Sequence, residues 1–143
     1  MTGSGKSVCI NSILASLIKN VDMRDFEMLL IDPKGVELGM YAFLPNCVNN
    51  KVLVNSEESM AGLRWLVDEM ERRYDLIEEA GVRDISGYNE VTKNDPEKEF
   101  MPKLVIVIDE LADLMMTAPD SVETSICRIA QKGRAAGMHL IIG

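Results

Sequence analysis

Leu104-Val105-Ile106-Val107-Ile108 is an unbroken apolar run that feeds directly into Asp109-Glu110. Four of its five residues are β-branched, the side chains that pack best on a pleated surface. A strand with one wet face alternates apolar and polar residues. This run does not alternate, so both of its faces must be covered. The chain is therefore expected to fold around a parallel sheet with helices on both sides, an α/β architecture.

The flanking segments fit that frame. Phe26 to Ile31 is a second apolar run, closed by Asp32-Pro33-Lys34-Gly35, a turn by composition. Met138 to Ile142 reads as a third strand, and Val52-Leu53-Val54 as a short strand or strand extension. Val36 to Tyr41 offers one helical turn, and Leu44 to Lys51 reads as loop. From Lys6 to about Asn20, Ile10, Ile13, Leu14, Leu17 and Ile18 form the stripe of a helix packed on a sheet. Asn55 or Ser56 caps a long helix with Met60, Leu63, Leu66, Val67, Met70, Tyr74 and Ile77 inward, closed by Gly81. Ser86 to Thr92 reads as a short helix and Lys93 to Lys103 as a polar loop. A third long helix is expected from about Asp120 to Ala136, with Val122, Ile126, Ile129 and Ala130 inward and Gly137 as its stop.

In open α/β sheets, ligands collect at the carboxyl ends of the strands. Two strands here finish in acids, at Asp32 and at Asp109-Glu110. An apolar strand followed by Asp-Glu is the Walker B pattern, in which the Asp serves Mg²⁺ and the Glu activates the attacking water. The bland alternative is that Asp109 caps the Leu111 helix. Met1-Thr2-Gly3-Ser4-Gly5-Lys6-Ser7 argues for the chemical reading, because Gly5-Lys6-Ser7 completes a phosphate-binding loop, G-x-x-x-x-G-K-[ST]. Gly3 and Gly5 let backbone N–H groups converge on an anion, Lys6 reaches phosphate oxygens, and the Ser7 hydroxyl suits Mg²⁺. The N–H groups of Thr2, Gly3, Ser4, Gly5, Lys6, Ser7 and Val8 are the candidate nucleotide cradle, at the start of the first helix. Asp32 is read first as a cap for the turn into Pro33, with nucleotide contact as the alternative. Arg128, Lys132 and Arg134 end the third helix; they complement its dipole or supply an arginine finger.

A net charge of −8 argues against a surface that wraps nucleic acid unaided, though not against a motor touching DNA through a few loops. No apolar run approaches the ~20 residues needed to span a bilayer. Cys9, Cys47 and Cys127 lack metal or redox spacing and are expected to be reduced and buried; His139 reads as a core or edge histidine.

The chain resembles the motor domain of the FtsK/SpoIIIE DNA translocases. The resemblance rests on Met1 to Ser7, Leu30 to Leu38, Glu69-Met70-Glu71-Arg72-Arg73-Tyr74, Gly87-Tyr88-Asn89, Val107 to Met116 and Ala130 to Gly137. It implies a three-layer RecA-like P-loop NTPase fold, with the 104–108 strand between those at 26–31 and 138–142. It also implies a homo-hexameric ring that uses ATP and Mg²⁺ to pull double-stranded DNA, in chromosome segregation with cell division or sporulation. Lys6 and Ser7 would serve phosphate and metal, Asp109 the metal, Glu110 the water, and Arg134 a neighbouring subunit's nucleotide.

Such domains are cytoplasmic, and membrane anchoring belongs to a separate N-terminal part. Against that pattern, residues 1–143 are expected to be a partial motor domain, lacking the strand before the nucleotide loop, its first glycine and a C-terminal portion. The segment alone is accordingly expected to hydrolyse ATP poorly or not at all. Gly133 departs from the family's usual alanine. Two rivals stand beside this reading: a ring ATPase of type VII protein secretion, and a non-catalytic nucleotide-binding module.

Overall fold

A computed structural model of the chain describes the backbone of residues 4–143 and the side chains of residues 9–143. The elements in order are α1 (Ser4–Asn20), β1 (Phe26–Ile31), β2 (Cys47–Leu53), α2 (Ser56–Glu79), α3 (Ile85–Thr92), β3 (Lys103–Ile108), α4 (Leu111–Thr117), α5 (Pro119–Lys132) and β4 (Met138–Ile142). The strands form one sheet in the order β2-β1-β3-β4, and every pairing is parallel. The 104–108 strand therefore lies between the other two expected strands. Its register runs without a break, from Leu104 opposite Met138 to Ile108 opposite Ile142, and Ile31 opposite Ile108 on the other side.

The missing alternation in β3 now has a structural cause. Leu104, Ile106 and Ile108 belong to a core with Leu63, Leu66 and Met70 of α2 and Val122 and Ile129 of α5. Val105 and Val107 belong to the opposite core, with Ile10 and Leu14 of α1 and Phe26, Met28 and Leu30 of β1. Successive side chains point to opposite faces, so a strand covered on both must be apolar throughout. Ile106, Val107 and Ile108 are completely buried, and truncating such a side chain to alanine costs about 2–5 kcal/mol.

Several expectations need correction. Leu44 to Lys51 is not simply loop, because β2 starts at Cys47. Between Met28 and Leu30 of β1, β2 runs on from Cys47 to Val52, so extra residues bulge out of the ladder. Asn49 and Asn50 have φ of 60° and 49°, the left-handed conformation asparagine tolerates and strand rules penalise. The last helix stops at Lys132 instead of Ala136, and Ala130 faces solvent. Gly137, at φ +73°, still turns the chain into β4, and a Cβ there would meet Ile85 Cδ1 at 2.7 Å. Only Cys47 of the three cysteines is buried. The helical turn expected within 36–41 is a 3₁₀ turn at Gly39–Tyr41, and α3 runs over Ile85–Thr92. Among the described residues, no helix is long and apolar enough to cross a membrane.

Candidate functional site

Topology brings the acids and the first helix to one end of the sheet. Helix α1 ends at Asn20 and β1 begins at Phe26, so the two run in opposite directions and α1 starts at the carboxyl end of the strands. The Tyr41 hydroxyl, beyond β1, donates to Asn11 Oδ1 at 2.8 Å and fixes the helix to that end. Ile10 and Leu14, 4% and 0% exposed, anchor the helix to the sheet beneath. The backbone of Ser4, Gly5, Lys6, Ser7 and Val8 is the first part of α1, two residues earlier than the periodicity suggested. Thr2, Gly3 and the side chains of Ser4 through Val8 lie outside the described residues.

Asp32 and Asp109 close neighbouring strands and serve different ends. Asp32 is fully buried, and its carboxylate accepts from four backbone N–H groups. Lys34 and Gly35 donate to Oδ1, each at 3.2 Å; Glu37 and Leu38 donate to Oδ2 at 2.8 and 3.2 Å. A charged acceptor with that many donors holds the whole turn from Pro33 to Leu38. The turn-capping reading of Asp32 is the correct one.

Asp109 continues the ladder, its N–H donating to Ile31 O at 2.9 Å, and is 4% exposed. Glu110 is 9% exposed and adopts φ 62°, ψ 61° where β3 gives way to α4. A left-handed backbone on a residue with a Cβ costs on the order of 1 kcal/mol, and such conformations concentrate at functional sites. Glu110, not Asp109, occupies the N-cap of α4, and its side chain makes no capping bond. Sequence reasoning had no signal for this geometry, because a strand ending in Asp-Glu fits either backbone.

The amino end of the sheet carries the opposite charge. Arg83, Lys103, Lys132, Arg134 and His139 line an open groove of about 560 Å³, with Asp84 as the acid among them. That acid is occupied, since Asp84 caps α3 by accepting from Gly87 N–H at 2.8 Å. Burial, then the charges of Lys103 and Arg134, push the His139 imidazole below its ordinary value. His139 lies on the edge strand β4 and borders both this groove and an apolar one. Of the three cations in the α5 region, Arg128 pairs with Glu71 at 2.7 Å, whereas Lys132 and Arg134 make no ion pair among the described residues. An apolar groove of about 840 Å³, between α1, α3 and the lower part of the sheet, holds none of the predicted catalytic residues.

Sequence reasoning also missed what Glu69, Arg72, Arg73 and Tyr74 do. Glu69 accepts from Arg72 at 2.7 and 2.8 Å and from Arg73 Nε at 2.8 Å. Burial opposes its charge, but the two arginines together outweigh burial and hold the carboxyl below the usual range. Arg73, 2% exposed, donates from Nη1 to Pro102 O at 2.8 Å and Ala136 O at 2.9 Å. A buried cation on a helix interior was the available signal, but periodicity alone hid it: Arg73 lies beside the apolar stripe.

The chain is similar to several known proteins. The profile of the FtsK/SpoIIIE family matches residues 1–143. The DNA translocase SftA of Bacillus subtilis (strain 168) is 53% identical over 141 residues, which is 99% of this chain and 15% of that protein. Among solved structures, the pCW3 conjugation coupling protein TcpA, in a monomer form with ATPγS, is 28% identical with a TM-score of 0.79, over 99% of this chain and 40% of that one. The cytoplasmic domain of the Thermomonospora curvata type VII secretion ATPase EccC is 28% identical with a TM-score of 0.76, over 99% of this chain and 17% of that one. The chain thus spans less than a fifth of the translocase it matches.

Proposed function

The chain belongs to the FtsK/SpoIIIE family, and from that premise we propose that it is the ATP-hydrolysing part of a motor that moves double-stranded DNA. The observation that carries the reading is Asp109-Glu110: two buried acids at the end of β3, the second in a left-handed backbone, at the end of the sheet where α1 begins. Thr2 to Gly5 and the N–H groups opening α1 cradle the phosphates, and Lys6 neutralises the β- and γ-oxygens. Asp109 and the Ser7 hydroxyl are hard oxygen donors, and a buried carboxylate beside a helix start fits Mg²⁺. Asp109 and Ser7 would hold the ion, whose charge would offset that of the phosphate oxygens. Glu110 accepts the proton of a water as its oxygen bonds to the γ-phosphorus; the bond to the ADP oxygen breaks, releasing ADP and phosphate.

Arg134 acts on the nucleotide of an adjacent copy in a homo-hexameric ring. It precedes β4, whereas Glu110 follows β3, so the two sit at opposite ends of the sheet in one chain. The similarity to SftA supports DNA as the cargo; a role in chromosome segregation, with membrane anchoring by a separate part, is proposed for the full-length protein. A second reading, transport of polypeptide, is favoured by the likeness to EccC, but the identity to SftA is much higher. The deciding experiment is steady-state ATP hydrolysis by the full-length protein with and without duplex DNA. DNA stimulation that disappears in Glu110→Gln supports the proposal. Stimulation by a secreted polypeptide and indifference to DNA would favour the rival.

A further inference from the structure

The segment that carries Arg134 is held backbone atom by backbone atom. The Lys132 carbonyl accepts from the Tyr74 hydroxyl of α2. The Gly133 carbonyl accepts from Met138 N–H at 2.9 Å, and the Arg134 carbonyl from Gly137 N–H at 3.0 Å. Next, the Ala135 carbonyl accepts from Ile85 N–H, the first residue of α3, at 2.8 Å. The Ala136 carbonyl takes Arg73 Nη1 at 2.9 Å, and the Gly137 carbonyl takes Leu104 N–H at 2.8 Å. Every carbonyl from Lys132 to Gly137 is therefore occupied, three of them by donors from α2 and α3.

Within this fixed frame the Arg134 side chain is exposed and makes no ion pair among the described residues. A side chain reaching across a subunit boundary gains most when its backbone is already ordered, because less freedom is lost when it docks. The steric details agree. Ala136 is fully buried, Gly137 has no room for a Cβ against Ile85, and a Cβ on Gly133 would meet Met138 O at 2.9 Å.

From these bonds we infer that Glu69, Arg73 and Tyr74 of α2 are positioning residues for Arg134: they preset the loop that delivers it to the neighbouring nucleotide. Glu69 orients the Arg73 guanidinium, Arg73 ties Ala136 to Pro102, and Tyr74 fixes the other end of the loop at Lys132. The inference rests on the trans role of Arg134 proposed above.

The test uses the full-length protein with Tyr74→Phe, which removes one hydroxyl, and Arg73→Lys, which keeps the charge but loses the fork. Tyr74→Phe is expected to lower kcat about fivefold, and Arg73→Lys on the order of tenfold to a hundredfold. Affinity for ATP and the unfolding midpoint of Tyr74→Phe should stay unchanged. Mixed with Lys6→Ala subunits, both variants should recover hydrolysis, as is expected of Arg134→Ala, because the lesion lies on the donor side of the boundary. A merely structural role would move the midpoint and show no such recovery. If Arg73→Lys fails to fold, Tyr74→Phe alone decides. Wild-type kcat in Tyr74→Phe, with Arg134→Ala complemented normally, overturns the positioning inference and leaves the trans arginine standing. Failure of Arg134→Ala itself to be complemented, in rings shown to mix, overturns the trans reading and the inference with it.

Discussion

The two ends of the sheet are opposites. At the carboxyl end Asp32, Asp109 and Glu110 are acidic and buried; at the amino end Arg83, Lys103, Lys132 and Arg134 are basic and exposed. Strand β3 separates them by roughly 17 Å, at ~3.3 Å per residue. No rotamer of Arg134 bridges that span, so within a single chain Arg134 cannot reach Asp109 or Glu110. The backbones differ as well. Glu110 sits in a costly left-handed conformation, while the residues around Arg134 have all their carbonyls bonded.

The largest expected effect comes from removing the base proposed at the acidic end. Glu110→Gln keeps the shape and should lower turnover by ~10²–10⁴ while leaving ATP binding nearly intact. Parallel hydrolysis and nucleotide-binding titrations would check it. Turnover within about tenfold of wild type would remove Glu110 from the role.

Asp32 sharpens the comparison from within that same end. Its carboxylate serves the backbone of Lys34 to Leu38, so Asp32→Ala should destabilise the domain by about 3 kcal/mol. Urea unfolding measures that loss. In the fraction that remains folded, ATP affinity should be kept. A lost affinity with unchanged stability would make Asp32 a nucleotide residue after all.

At the basic end, Arg128 should matter least to chemistry. Its pair with Glu71 is half exposed on both sides, so Arg128→Ala should change stability by no more than about 1 kcal/mol. Turnover should also be unchanged, in contrast to Arg134→Ala.

The smallest effect is a titration. His139 is the chain's single histidine, so its signal in an NMR titration is unambiguous. It should titrate below the ordinary imidazole range, and move back toward that range in Arg134→Ala, because the charge of Arg134 contributes to the depression. Stability linked to His139 is complete above the ordinary range and declines as the pH falls through it, since the unfolded chain takes up the proton first. No movement in the variant would place Arg134 away from the groove.

The sheet and the acids were readable because their causes are local. A run without alternation requires two covered faces, and a strand ending in Asp-Glu marks the ligand end of such a sheet. Strand β2 was half hidden because Asn49 and Asn50 break the periodicity with left-handed backbones that pairing to β1 nevertheless accommodates. The end of α5 was misplaced because Ala135 and Ala136 are good helix formers, and their carbonyls are instead taken by Ile85 and Arg73. Those contacts are long-range, from residues more than 45 positions away, and no local pattern encodes them. The same holds for the Arg73 clamp as a whole: its charge is visible in the sequence, its partners are not.

Mixing subunits of the full-length protein, Arg134→Ala with Lys6→Ala, tests the split site most directly. Each variant alone should hydrolyse ATP at a small fraction of the wild-type rate, by ~10³ or more for the arginine. The mixture should recover hydrolysis to a maximum at an intermediate ratio, where an intact nucleotide loop meets an intact Arg134 across a boundary. Rings that demonstrably mix but show no recovery at any ratio would contradict the account.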